Sequence, residues 1–342
     1  MAKQSALTAN QIITQIKSND IKPIYLLMGE ESYYIDLICD YIDDNVLSEE
    51  EKDFNYTMIY CDRYTKCEQI VMAARQYPVM AKYQLIIVRE AQNIKDWSSF
   101  SHYLKSPLQS TIVVFCHKHK SMDKRLKIVG DIAKCGGIVF ESKRKYDNEI
   151  PSWITSYVKS KGYSINPKGA NLLADFLGTD LSKIVNEIDK LVILLSNTDN
   201  KEIDAELIEK NIGISKDYNN FELINAIGAK QVVKVNRIVN YFSQNPKATP
   251  LIVTTSTLFN FFSNLMLFHW LQDKSPANVA SELKINPYFV KDYQIAARNY
   301  NSGKTLKALE AIRTLDVKSK GFGNSNTSNH DLLRETIFRI MH

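Results

Sequence analysis

Cysteine is scarce in this chain, and what there is does not pair. Cys39, Cys61, Cys67, Cys116 and Cys135 are odd in number, lack C-x-x-C spacing and mostly sit inside apolar segments. That is the usage of reduced structural cysteines rather than of a disulfide scaffold, so a cytoplasmic location is expected. The opening stretch MAKQSALTANQIITQI has no apolar core ahead of its polar residues, and secretion is not expected. Neither sign of charge dominates: 43 basic against 38 acidic side chains leave a net +5, so any nucleic-acid surface has to be local. Charged residues at 24% and hydrophobic ones at 44% exclude a disordered or fibrous chain. No repeat or low-complexity tract is present. Long uncharged runs are missing except at 250 to 271, PLIVTTSTLFNFFSNLMLFHWL, which is long enough to cross a bilayer. Ser256, Asn260, Ser263 and Asn264 recur there at helical spacing, which predicts a helix packed among other helices with a polar stripe.

What is present is a change of pattern along 342 residues, a length that suggests two or three domains. Up to about residue 143, apolar runs alternate with helical segments: IYLLM at 24 to 28, TMIYC at 57 to 61, LIIVRE at 85 to 90, TIVVFC at 111 to 116 and GIVFE at 137 to 141. Such alternation predicts a parallel sheet flanked by helices. Beyond residue 150 the strand signal stops. Helical periodicity runs through 150 to 161, 167 to 177, 180 to 196 and 204 to 211, then through 220 to 242, 250 to 272, 275 to 283, 287 to 300, 303 to 316 and 328 to 341. The basic run Lys143-Arg144-Lys145 marks one boundary and Gly213 to Tyr218 a second, giving domains 1–143, 144–212 and 213–342.

Residues 24 to 36, IYLLMGEESYYID, have the layout of a phosphate-binding loop without its chemistry. A working loop beginning at Gly29 needs Gly, Lys and Ser or Thr at 34 to 36, where this chain has Tyr34, Ile35 and Asp36. Glu30 and Glu31 place carboxylates where a helix N-terminus otherwise attracts an anion, so nucleotide should be repelled. The same residues also suit an ordinary α/β strand and turn that never bound phosphate.

An α/β domain with an emptied phosphate loop, a small helical lid and a C-terminal helical domain describes an inactive member of the AAA+ group. The chain resembles, more narrowly, the delta subunit of the bacterial DNA polymerase III clamp loader. The resemblance runs through PIYLLMGEESYYI at 23 to 35, PVMAKYQLIIVREA at 78 to 91, GTDLSKIVNEIDKL at 178 to 191, FELINAI at 221 to 227, INPYFVKDYQIAARNY at 285 to 300 and KSKGF at 318 to 322. It implies an AAA+-like parallel-sheet domain, a lid and a helical collar that joins a pentamer. It also implies a non-catalytic subunit of the polymerase III holoenzyme that binds and opens the sliding clamp for loading onto primed DNA. The implied partners are the clamp, delta-prime and the ATP-hydrolysing tau or gamma subunits, with no cofactor, metal or membrane. The family grips the clamp through two adjacent large apolar residues before the third strand. Here the matching positions are Val79 and Met80, less bulky than the Leu-Phe pair of some members, with Gln76 and Tyr77 adding contacts.

From the residues themselves, helix 68 to 77 turns Ile70, Val71, Ala74 and Tyr77 inward, and Pro78 ends it, leaving Val79 and Met80 in a turn. Those two side chains also suit a cap on the domain's own core. Lys118, Lys120, Lys124, Arg125 and Lys127, offset only by Asp123, suit either a solvated face or a track for DNA phosphates. Phe322, between Gly321 and Gly323, matches a position near the end of the duplex in the family and suits base stacking or a plain loop. Cys116, His117 and His119 have the types of a metal site without its geometry, and no metal is expected. At the end of LIIVRE, Arg89 beside Glu90 predicts an ion pair rather than magnesium. Ser302-Gly303-Lys304-Thr305 contains GKT but follows a helix, and reads as a helix cap. Two rival functions remain: a helix-turn-helix DNA-binding protein, from residues 276 to 300, and an AAA+ ATPase with an unusual nucleotide site.

Overall fold

The computed structural model describes residues 7–212, 218–246, 249–323 and 326–342. The expected second boundary at Gly213 to Tyr218 therefore lies, but for Tyr218, outside the described residues. The chain forms two compact units, Met1–Lys145 and Tyr146–His342, which change over at the predicted basic run.

The first unit is built on five parallel strands in the order β2-β3-β4-β1-β5, where β1 is Ile24–Gly29, β2 Tyr56–Tyr60, β3 Gln84–Arg89, β4 Thr111–Lys118 and β5 Ile138–Ser142. Each of the five predicted runs became one of these strands. Interior strand β1 is buried along its whole length, and β3 and β4 nearly so, because helices cover both faces. Side-chain alternation divides the sheet between two cores. Tyr25, Leu27, Ile87, Val114 and Cys116 face α1 (Ala9–Lys17) and α2 (Ser32–Val46). Leu26, Met28, Val88 and Phe115 face α4 (Cys67–Ala74), α5 (Ser98–Tyr103) and α6 (Lys127–Lys134). A further short helix, α3 (Glu49–Asn55), leads directly into the edge strand β2.

The second unit begins with α7 (Ile150–Ser160), α8 (Pro167–Leu177), α9 (Leu181–Ser196) and α10 (Ala205–Ile212). The expectation that strands stop at 150 needs one correction: β6 (Ser164–Ile165) and β7 (Glu202–Ile203) form a parallel pair of two residues each, too short to register as a pattern. The bundle continues with α11 (Asn220–Gly228), α12 (Val232–Gln244), α13 (Leu251–Trp270), α14 (Pro276–Leu283), α15 (Val290–Asn299), α16 (Ser302–Ser319) and α17 (Asn329–Met341). The predicted single helix 220 to 242 is two helices. Lys230 takes φ +56°, its N–H reaches Ile227 O and that of Gln231 reaches Ala226 O, a Schellman ending for α11. Lys230 is held there because its Nζ donates to Met341 O at 2.5 Å and lies over the Tyr300 ring.

Helix α13 is long and apolar enough to cross a membrane by length and composition. One side, with Leu258, Phe261, Phe262, Leu265 and Phe268, is core of the bundle. Its outward side is less polar than predicted: Ser256 and Asn260 are exposed, but so are Ile252, Phe259, Leu267 and Trp270. Within the same unit Glu222 on α11 accepts from Lys168 on α8 and Lys234 on α12, each at 2.5 Å. Burial opposes ionisation of Glu222, but the two ammonium groups outweigh it and hold the carboxyl below its ordinary range.

Candidate functional site

Parallel strands deliver their C-terminal ends to one edge of the sheet, the usual place for a ligand in such a fold. Here that edge carries Gly29, Arg89 and Lys118 from three neighbouring strands. Gly29 has φ +143°, and a Cβ on it would stand 1.9 Å from the Ser142 carbonyl oxygen, so close packing against β5 already requires a glycine. Glu31, 8% exposed, caps α2 by accepting the Tyr33 N–H at 3.0 Å, while Glu30 is exposed. A carboxylate thus occupies the positive end of the helix that a phosphate would use.

One helical turn on, Asp36 stands where a working loop has Ser or Thr. Its carboxylate receives Arg89 Nη1 at 2.9 Å and Lys118 Nζ at 2.7 Å, and Asp40 receives Arg89 Nη2 at 2.9 Å. The ion pair predicted at the end of β3 exists, with partners on α2 in place of the adjacent Glu90. Glu90 instead takes φ +57° and accepts from Gln92 Nε2 at 2.6 Å. Two carboxylates and two cations cancel at this edge of the sheet. Both cations are committed to Asp36 and Asp40, and both carboxylates to the cations.

The second feature is the segment between α4 and β3. Helix α4 stops at Ala74, three residues before the predicted end, since Arg75 already caps it and the residue preceding Pro78 is disfavoured in helix. Ile70 and Ala74 face the core as predicted, and Val71 partly so, but Tyr77 does not: it is 74% exposed. Val79 is 54% exposed and Met80 fully exposed, so neither caps the domain's own core. Met80 also has φ +54°, a left-handed conformation that costs a residue with a Cβ about 1–2 kcal/mol. The side chain of exposed Gln76 accepts a long contact from Gln84 Nε2, at 3.4 Å. Sequence reasoning missed the residue that holds this turn. Asn55, at the end of α3 and 1% exposed, accepts from the Val79 N–H at 2.6 Å and donates to Val79 O at 2.9 Å.

The basic cluster is less free than its sequence implies. Lys118 is committed to Asp36, Lys124 pairs with Glu141 at 2.6 Å, and Arg125 pairs with Asp123 at 2.8 Å. Lys120 and Lys127 are exposed and, among the described residues, make no ion pair. Phe322 is 69% exposed in a turn flanked by Gly321 and Gly323, both at positive φ. Cys116, His117 and His119 are not brought together: Cys116 is in the core, His117 Nδ1 lies 2.9 Å from Lys120 O, and His119 is exposed. Among the described residues no group of three such side chains could hold a metal. The GKT sequence is the first turn of α16, capped by Asn301, which accepts from the Lys304 N–H at 2.9 Å. In the helix-turn-helix-like segment Phe289, Val290, Tyr293 and Ala296 are buried, and Asn299 Nδ2 donates to Gly228 O at 2.8 Å. This helical pair spends its second helix on the bundle core.

A family model described as DNA polymerase III, delta subunit, matches residues 25–142, and one described as the DNA polymerase III delta subunit, C-terminal domain, matches residues 217–333. DNA polymerase III subunit delta of Bacillus subtilis (strain 168) is 24% identical over 316 residues, covering 89% of this chain and 90% of that protein. Among solved structures, the Bacillus subtilis DNA clamp loader delta protein is similar in fold, with a TM-score of 0.53, 22% identity and coverage of 98% of this chain and 99% of the other. A DNA polymerase III gamma subunit-related protein from Thermotoga maritima lies further away, at a TM-score of 0.35 and 13% identity over 97% of this chain and 98% of the other.

Proposed function

The chain belongs to the DNA polymerase III delta-subunit family, and we propose that it is the clamp-binding, non-hydrolysing subunit of a clamp loader. The exposed turn of Gln76, Tyr77, Val79 and Met80 seats in an apolar pocket of the sliding clamp and opens or holds open one interface of the ring. The observation that carries this reading is Met80, fully exposed on a left-handed backbone at a turn tied to its scaffold. An unpartnered apolar side chain held in a costly conformation is what a docking anchor requires. Burial of Val79 and Met80 would contribute about 1.5–3 kcal/mol each, enough to anchor an interface that neighbouring contacts complete.

The internally neutralised charge cluster beside Gly29 fits a subunit that leaves ATP hydrolysis to tau or gamma neighbours. Nucleotide binding in those neighbours exposes the turn and hydrolysis withdraws it, so this subunit responds to a ligand it does not hold. In the pentamer, completed by delta-prime, residues 1–143 act as the clamp-binding domain, 144–212 as the lid and 213–342 as the collar. Lys120, Lys127 and Phe322 are the most available groups for primed DNA. Replication in a bacterial cytoplasm is the setting.

Met80→Glu tests the reading, since it places a charge in an apolar pocket only in the complex. Its affinity for purified clamp, by surface plasmon resonance, should fall at least about 100-fold, with the melting temperature within about 2 °C of the parent. Equal affinity for mutant and parent would overturn the assignment.

A further inference from the structure

The segment from Arg75 to Tyr83 belongs to no helix or strand, and little apolar packing fixes its tip, because Tyr77, Val79 and Met80 are exposed. Its anchor is polar. Asn55 Oδ1 accepts the Val79 N–H at 2.6 Å, and Asn55 Nδ2 donates both to Val79 O and to Glu51 O at 2.9 Å. A carboxamide presents a donor and an acceptor side by side, so it captures both peptide groups of one residue as a neighbouring strand would. The carboxamide is itself buried and is tied back to α3 through Glu51 O, so it is a rigid fixture. With both polar groups of Val79 fixed, the peptide leading into Met80 is fixed as well. This accounts for a left-handed methionine persisting at a position where its own side chain is fully exposed.

We infer that Asn55 is the positioning residue of the clamp-binding turn: its buried carboxamide holds Val79 so that Met80 is presented ready to dock. This rests on the proposed clamp-binding role of the turn. Presentation in advance removes an ordering cost from association, so loss of the hook weakens binding even though Asn55 itself touches no partner.

The test uses the full chain with Asn55→Ala, which removes the hook, and Asn55→Asp, which keeps its shape and the acceptor for Val79 N–H but sets a buried carboxylate against Val79 O and Glu51 O in place of the donor. Without clamp, hydrogen exchange of the Val79 amide should speed up at least about tenfold in Asn55→Ala, while amides of β1, β3 and β4 stay protected. Binding to purified clamp should weaken about tenfold in Asn55→Ala and at least as much in Asn55→Asp, and the effects of Asn55→Ala and Met80→Ala together should fall short of their sum. Unchanged protection at Val79 in both variants would overturn the inference whatever the clamp does. So would full clamp affinity in a variant whose Val79 amide has been freed. Failure of the clamp reading is seen separately, as Met80→Glu binding the ring like the parent.

Discussion

Gly29 illustrates how one residue can keep the look of a ligand site for a reason of packing. Its backbone lies at φ +143°, and the space a Cβ would enter belongs to the Ser142 carbonyl. Gly29→Ala should therefore destabilise the first unit by at least about 3 kcal/mol in urea unfolding. His117 offers a second test at this scale. Burial, against the opposing hydrogen bond to Lys120 O, holds its imidazole below the ordinary value. The unfolded chain then binds the proton first, so stability is full above the unfolded value, about 6.5, and falls as pH drops through it. His117→Gln should flatten the decline between about pH 7 and pH 5 in denaturant melts followed against pH. The missing lysine of the phosphate loop was legible from sequence alone, because a motif occupies consecutive positions. The long-range contacts were not: Arg89 meets Asp36 across 53 positions, and Asn55 meets Val79 across 24. No local pattern announces a side-chain hydrogen bond over such spans.

Strands were the most legible elements, since a parallel strand buried on both faces is a continuous apolar run. Helix ends were the least. The backbone stopped α4 at Ala74 where periodicity continued to Tyr77, and Lys230 ended α11 in a position that glycine usually marks. A residue that supplies its own restraint, as Lys230 does through Met341 O and the Tyr300 ring, can take a glycine's place without leaving a glycine's signature. Lys284 makes the contrast. It caps α14 at φ +54° as an exposed residue for which, among the described residues, there is no ion pair. Lys284→Gly should raise stability by about 0.5–1 kcal/mol, read from thermal or urea denaturation. The same change at Lys230 discards the restraint along with the strain.

At the scale of the whole molecule, a net charge of +5 gives no general attraction to nucleic acid, and the internal pairing of Lys118, Lys124 and Arg125 reduces the local one. If Lys120 and Lys127 supply the phosphate contacts of the basic cluster, log K for primed duplex should fall with log salt at a slope near about −2. Engagement of all five basic residues would steepen it to about −4.5. Fluorescence anisotropy across a salt series separates the two. A basic run in sequence reads as a track because neighbouring letters are all it shows; Asp36 and Glu141 lie far from it along the chain and beside it in space.

The four charges at the edge of the sheet have a consequence for timing. Asp36, Asp40, Arg89 and Lys118 are part of the covalent chain, so their balance is the same in a starving cell as in a growing one. On the proposed reading, this subunit contributes a grip of constant strength. The clock that decides when the ring is seized and when it is let go must then sit wholly in its neighbours.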